Sequence, residues 1–553
     1  MRAVPALLLA TLLLAACGES DSTDRNDLAP GGNGGSGGAG GSGGGGPVAE
    51  PIVWGACPSG EGECTLVDVP LDWEAPEGER IEFFVRRIRT AAAESKGQLW
   101  LLQGGPGAAG WAFNNYAPYF QELVPGYDIY IPDYRGNGYS AWLGCEGQDG
   151  DTYRPSCGNA LLEQWGEGLA HFNTSAAARD IGTTIERIRQ PGERVYLFGT
   201  SYGTFMLNRY LTLFPDQADA AILDSVCPAS GCDVRMDRNF VGVAEHVYEL
   251  CAADAFCASK LGADPWAKLM DVLARFEQGH CADFYGGYPN NRRILEALAL
   301  YTVGSREIAP IGLAAAYRAD RCNAEDVAAL QTLTRQLFGI GRFDLSGDHS
   351  SIYLGNNVIF SEFWPEGLDR AAAEAEIAAL PLQSGALLGR LEQREIWPWP
   401  FYETAPELMD WSRTETPILL LNGDLDGQTT LAGLAGVEET FQNESQHFVS
   451  VPLAGHGVIF NSPMSPNHAR MTCGMELVAN FFGAPEGELD TGCAQASPTI
   501  DFEGHPAYAQ QLFGTADVWE NEETTGTAMQ LPLTPFQEKA LEDLRRLLAE
   551  TVR

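Results

Sequence analysis

Three short segments carry side chains whose chemistry depends on one another: Gly199-Thr200-Ser201-Tyr202-Gly203, Asn422-Gly423-Asp424-Leu425-Asp426-Gly427 and Ala454-Gly455-His456-Gly457. A serine hydroxyl is a weak nucleophile until a base takes its proton, and that base needs an acid to fix its tautomer and stabilise its cationic form. Ser201, His456 and Asp426 fit these three roles, with Asp424 as the alternative acid. Asp426 lies two residues farther from the preceding strand and has the longer reach toward a neighbouring loop. His456 sits between glycines in a turn, a setting the other histidines lack. Attack on an acyl carbon also needs two N–H donors for the developing oxyanion. Tyr202, following the nucleophile, offers one, and the turn Gln103-Gly104-Gly105-Pro106-Gly107 offers the other, with Gly105 the preferred donor. Two more G-x-S-x-G matches, at 34–38 and 40–44, lie inside a glycine run where no strand leads in, so they carry no such meaning.

The elements around these segments alternate. Residues 81–90 (IEFFVRRIRT) and 98–103 (QLWLLQ) are rich in β-formers, and 127–132 (YDIYIP) reads as a buried strand. Residues 174–189 have helical apolar spacing, 194–198 (RVYLF) run as a strand into Ser201, 204–214 are helical again, and 220–226 (AAILDSV) return as a strand. Residues 416–421 (TPILLL) and 447–451 (HFVSV) lead into the acid and histidine loops. Such alternation predicts an α/β fold with a mostly parallel sheet covered on both faces. All three loops then leave the sheet at one edge.

Composition narrows the partners. The 553 residues hold 35 Lys+Arg against 74 Asp+Glu, a formal charge of −39, and no long basic run, so nucleic acid is excluded as a partner. Residues 1–16 (MRAVPALLLATLLLAA) read as a secretory signal, too short to span a bilayer. Leu14-Ala15-Ala16-Cys17 resembles the bacterial lipobox, which predicts acylation of Cys17 and a hold on the lipid bilayer in the cell envelope. A glycine-rich stretch at 31–46 follows as a flexible tether. The remaining twelve cysteines imply an oxidising compartment. Pairing neighbours along the chain gives 57–64, 145–157, 227–232, 251–257, 281–322 and 473–493. No C-x₂-C pair or Cys/His cluster has ligand spacing, so neither metal nor cofactor is expected.

QGGPG, DYRGNGYS, GTSYG, GDLD and GHG, in this order, resemble the serine aminopeptidase branch of the α/β-hydrolases, namely the proline iminopeptidases and the secreted tripeptidyl aminopeptidase-like proteins. The entry segment Trp54-Gly55-Ala56-Cys57 with Cys64 is similar to that secreted group, and Cys473 and Cys493 resemble its carboxyl-terminal pair. Gln103 departs from the His that usually opens the oxyanion loop of proline iminopeptidases. The resemblance implies core parts at 51–226 and 401–499, a helical cap inserted at 227–400, and an added tail at 500–553 beyond the tether at 17–50. In that family the cap restricts substrates to peptides with a free N-terminus. The cationic amine then calls for a carboxylate, and Glu362, among aromatics, is the candidate, with Glu366 second. The activity this implies is serine aminopeptidase action. Carboxylic ester hydrolysis on the same triad and a non-catalytic surface lipoprotein are the alternatives.

Overall fold

A computed structural model describes residues 52–58, 60–148, 150, 152–338, 350–496, 498–521 and 532–551; Cys17 and the glycine tether lie outside them. Among the described residues nine strands form one sheet: β1 (Gly55–Ala56), β2 (Glu63–Pro70), β3 (Arg80–Ile88), β4 (Gly97–Leu102), β5 (Tyr127–Pro132), β6 (Arg194–Thr200), β7 (Ala220–Asp224), β8 (Ile418–Gly423) and β9 (Gln446–Val451). Their order is β1-β2-β3-β5-β4-β6-β7-β8-β9. The first three pairings, β1 with β2, β2 with β3 and β3 with β5, are antiparallel. From β5 to β9 every pairing is parallel.

Period-two alternation of apolar residues builds the two covered faces of this sheet. Trp100, Leu102, Leu197, Leu223 and Leu420 pack with the helices Thr174–Ile188 and Tyr202–Leu213 on one face. Leu99, Leu101, Phe198, Ile222 and Leu421 pack with Ala117–Leu123 and Cys473–Gly483 on the other. The chain is therefore an α/β fold of the class expected, and its parallel strands all deliver their loops to one edge. The twelve cysteines outside the signal region pair as neighbours along the chain, from Cys57–Cys64 to Cys473–Cys493.

Between β7 and β8 the insertion divides by what it packs against. Its helices from Met236–Ala253 to Ala324–Phe338 form an apolar core of their own. The later segment carrying Tyr353, Phe360, Phe363 and Trp399 joins the sheet-face core instead. Two of those helices, Ala309–Arg321 and Ala324–Phe338, are separated by a break at Cys322. Its φ of 48° is left-handed, its sulfur is tied to Cys281, and Asn323 accepts the Asp326 N–H at 2.8 Å to start the second helix.

The tail completes the cap core. Tyr508, Leu512, Phe513 and Trp519, together with Leu541, Leu544 and Leu548 of the helix Pro535–Thr551, belong to the same cluster as Leu298 and Leu330. Arg318, fully buried, donates to the carbonyls of Val518 and Glu520 at 2.8 and 2.7 Å, which anchors the segment before that helix. Trp519 is also wholly buried, donates its indole N–H to the Phe502 carbonyl at 2.8 Å and meets Phe256 and Tyr317 edge-on. Trp519→Ala should accordingly destabilise the protein by about 3–5 kcal/mol in denaturant unfolding, as for a core aromatic. A tail that merely hangs from the globule would leave the midpoint unchanged.

Candidate active site

β6 ends at Thr200 and the helix Tyr202–Leu213 begins at Tyr202, leaving Ser201 alone in the turn at φ 57° and ψ −128°. Glycines make the turn possible. A Cβ on Gly203 would lie 2.1 Å from the Leu102 carbonyl oxygen, and one on Gly199 2.4 Å from that of Gly203. The Ser201 N–H donates to the Asp224 carbonyl at 3.0 Å, pinning the elbow to the end of β7.

The loop after β4 closes on the nucleophile from the other side. A Cβ on Gly104 would fall 2.8 Å from Ser201 Cβ and 3.3 Å from its Oγ. The Gly104 N–H is already engaged by the Gln103 Oε1 at 2.9 Å, while the exposed Gly105 N–H, at φ 120°, has no acceptor among the described residues. Tyr202 heads its helix, where first-turn N–H groups have no intrahelical partner. Its side chain is fixed well away from solvent by a hydrogen bond between its hydroxyl and Thr174 Oγ1 at 3.0 Å. Tyr202 thus adjoins Ser201 in the chain, and the turn that holds Gly105 packs against Ser201 through Gly104.

Asp426 and His456 meet. The His456 Nδ1 lies 2.9 and 3.0 Å from the two Asp426 oxygens, and Asp426 also accepts the Gln428 and Thr429 N–H groups at 2.9 Å each and the Thr429 hydroxyl at 2.8 Å. Burial pushes the Asp426 carboxyl up, but the imidazole beside it and the Thr429 donors outweigh that and hold it below the usual carboxylate range. An ionised carboxylate only accepts, so Nδ1 carries the proton and Nε2 is left free to take one. Asp424 does a different job: its Oδ1 accepts the Leu453 N–H at 2.6 Å and braces the histidine loop from beneath. Ser201 Oγ and His456 are not hydrogen-bonded to each other here, and the imidazole is 16% exposed.

Glu362 does not meet the expectation of an amine receptor. Its carboxylate is fully buried and engaged by Arg209 Nη2 at 3.1 Å, Tyr402 OH at 2.6 Å, Thr174 Oγ1 at 2.7 Å and the Thr174 N–H at 3.2 Å. The aromatic neighbours that suggested a pocket are a wedge: Phe363 packs edge-on against Phe205 at 4.9 Å, driving the segment into the core. Arg209, on the helix that follows Ser201, is buried and needs a counter-charge there. Glu366 is exposed. Reasoning from motifs missed Asp224, which is wholly buried at the end of β7 and accepts the Val458 and Ile459 N–H groups at 2.7 and 3.1 Å. It also missed Asn461, whose side-chain amide donates to the His456 carbonyl. An acid closing an otherwise apolar strand was the available signal for Asp224.

The tail helix adds a wall next to the base. Leu544 and Leu547 share with Phe240, Leu425, Gly427 and His456 the lining of a cavity of about 30 Å³, room for a water or two. Ser201 is not part of that lining.

Residues 99–259 match the family model described as alpha/beta hydrolase fold. The chain is 30% identical over 194 residues to a tripeptidyl aminopeptidase of Streptomyces lividans, covering 30% of this chain and 35% of that protein. It is 24% identical over 262 residues to serine protease Hip1 of Mycobacterium tuberculosis, covering 41% and 49%. It is 28% identical over 151 residues to a proline iminopeptidase of Aeromonas sobria, covering 27% and 33%. The chain thus matches between about a third and a half of the length of these curated relatives.

Three substitutions separate the roles at the site. Asp426→Asn should present the wrong imidazole tautomer and lower turnover on an acyl substrate by about 10⁴-fold, whereas Asp424→Asn should cost far less. Gly104→Ala should slow labelling of Ser201 by a fluorophosphonate while leaving the circular dichroism spectrum unchanged. Equal losses from the two acids would mean that the loop brace, and not the Asp426–His456 contact, governs the site.

Proposed function

We propose that this chain, an α/β-hydrolase, is a serine peptidase that releases short units from peptide N-termini. The observation that carries the reading is the buried Asp426 carboxylate on His456 Nδ1, set at the same sheet edge as a serine held in a strained strand-to-helix turn. In this reading His456 Nε2 takes the Ser201 proton as Oγ attacks the acyl carbon. Gly105 and Tyr202 N–H groups stabilise the oxyanion, the imidazolium protonates the leaving amine, and water repeats the sequence on the acyl-enzyme. Peptidase action is supported by the names of the three relatives. With Glu362 sealed in the core, the acid assigned to the substrate amine is gone, and on that observation hydrolysis of carboxylic esters stands as the second reading.

Six disulfides support work outside the cytoplasm, since such bonds persist in oxidising compartments. We further propose that Cys17 is acylated and the tether holds the globule at the envelope surface. Cys17→Ser should then release the protein from membranes into the soluble fraction, and unchanged membrane association would rule the anchor out.

Aminoacyl-, prolyl- and tripeptidyl-nitroanilides, their N-acetylated counterparts and short acyl esters should be assayed side by side. Cleavage of the free-amine peptides well above the acetylated ones is the expected result. Turnover of esters alone would replace the peptidase reading with the second, and activity surviving Ser201→Ala would overturn both.

A further inference from the structure

β7 lies between the strand that leads to Ser201 and the strand that leads to Asp426, paired with β6 on one side and β8 on the other. Its last residue, Asp224, stands opposite Thr200 in β6 and Leu421 in β8. From there it makes contact in two directions. Its backbone carbonyl accepts the Ser201 N–H at 3.0 Å. Its carboxylate reaches the turn after His456, taking the Val458 N–H on Oδ1 at 2.7 Å and the Ile459 N–H on Oδ2 at 3.1 Å. The next residue continues the pattern, with Ser225 Oγ accepting the Gly457 N–H at 2.7 Å.

Three consecutive N–H groups following the base therefore end on Asp224, the last residue of β7, and on Ser225 just after it. They open the short helical turn Val458–Asn461, which has no side-chain cap of its own and whose buried first-turn donors would otherwise be orphaned. Ser225 adopts a left-handed φ of 59° while its own N–H donates to the Leu421 carbonyl at 2.9 Å. A non-glycine residue keeps such a conformation when its surroundings over-determine it.

We infer that Asp224 is the positioning residue that sets the separation of Ser201 from His456, holding the nucleophile by its backbone and the base loop by its side chain. It touches neither substrate nor the transferred proton; it acts through the two loops, and the inference rests on the reading of His456 as the base. A carboxylate suits the position because each oxygen takes one N–H, whereas an amide would turn a donor toward one of them. The charged groups facing it are His456, on the loop it holds, and Asp426 on the acid loop; His456 is itself faced by Asp426 and, from the tail helix, by Asp543. Burial pushes the Asp224 carboxyl up to about 7, while the two N–H groups and the imidazole pull it down and Asp426 pushes it up. Where it is ionised, its charge in turn favours the imidazolium that forms during attack.

The test compares full-length wild type, Asp224→Asn and Ser225→Ala for kcat, KM and the pH dependence of kcat/KM per folded molecule, on whichever ester or peptide the wild type turns over. Asp224→Asn should lower kcat about 10²-fold, the loss expected when reacting groups shift by roughly an ångström, with KM nearly unchanged. Replacing an acid that titrates near pH 7 beside the imidazole should also move the acid limb of the profile to lower pH, to the extent that Asp224 is ionised there, because the cationic form loses that stabilising neighbour. Ser225→Ala should lower kcat by a smaller factor and leave the limb where it is. Wild-type kcat and an unmoved limb in folded Asp224→Asn overturn the inference, whatever its melting temperature. Should that variant fail to fold, Ser225→Ala decides, and wild-type kcat there overturns it. A wild-type protein that neither turns over a substrate nor takes a fluorophosphonate instead removes the hydrolase reading, and this inference with it.

Discussion

Holding Ser201 at φ 57° and ψ −128° costs on the order of 1–3 kcal/mol, and much of the surrounding architecture follows from meeting that cost. The turn closes only where backbone can touch backbone, so Gly199 and Gly203 face positions already occupied by carbonyl oxygens, and Gly104 lies against the serine side chain. The same crowding recurs at the neighbouring strand ends. A Cβ on Gly423 would sit 2.0 Å from the Ala454 carbonyl oxygen, and one on Gly455 2.1 Å from that of Gly304. These contacts let the loops after β6, β8 and β9 approach backbone to backbone, and Ser201, Asp426 and His456 are carried on those loops.

Cations do structural work out of proportion to their number in a chain of 35 Lys+Arg against 74 Asp+Glu. Arg135 is fully buried with a two-bond grip on Asp180 and further donors on the Pro70, Leu71 and His171 carbonyls. Arg209 joins the nucleophile helix to Glu362 of the insertion, and Arg318 joins the insertion to the tail. Each sits at a seam between parts distant in sequence. Buried ion pairs contribute little net stability but strongly penalise misplacement of either partner, which suits joints that must hold a register.

Strand identities and the nucleophile turn were legible because both have local causes: alternating apolar runs, and glycines on either side of one serine. The acid could be narrowed to Asp424 or Asp426 from their distance past β8, and the structure shows why both are acidic, one meeting the imidazole and the other the Leu453 N–H. Glu362 was misjudged because aromatic neighbours mark a pocket and a core wedge equally well; the difference lies in Arg209, 153 residues away in sequence. The reach of Asp224 into the base loop spans 234 residues and has no periodic trace. Docking of the tail was likewise hidden, since an amphipathic helix announces an apolar face without naming what covers it.

That docking joins parts of the chain far apart in sequence. The apolar core above the base includes Leu541, Leu544 and Leu548, at the far end of a chain of 553 residues, while Ser201 belongs to its first half. The wall beside His456 is thus discontinuous in sequence: one side comes from the loop after β8 and the other from the tail, and it exists only where the two are docked.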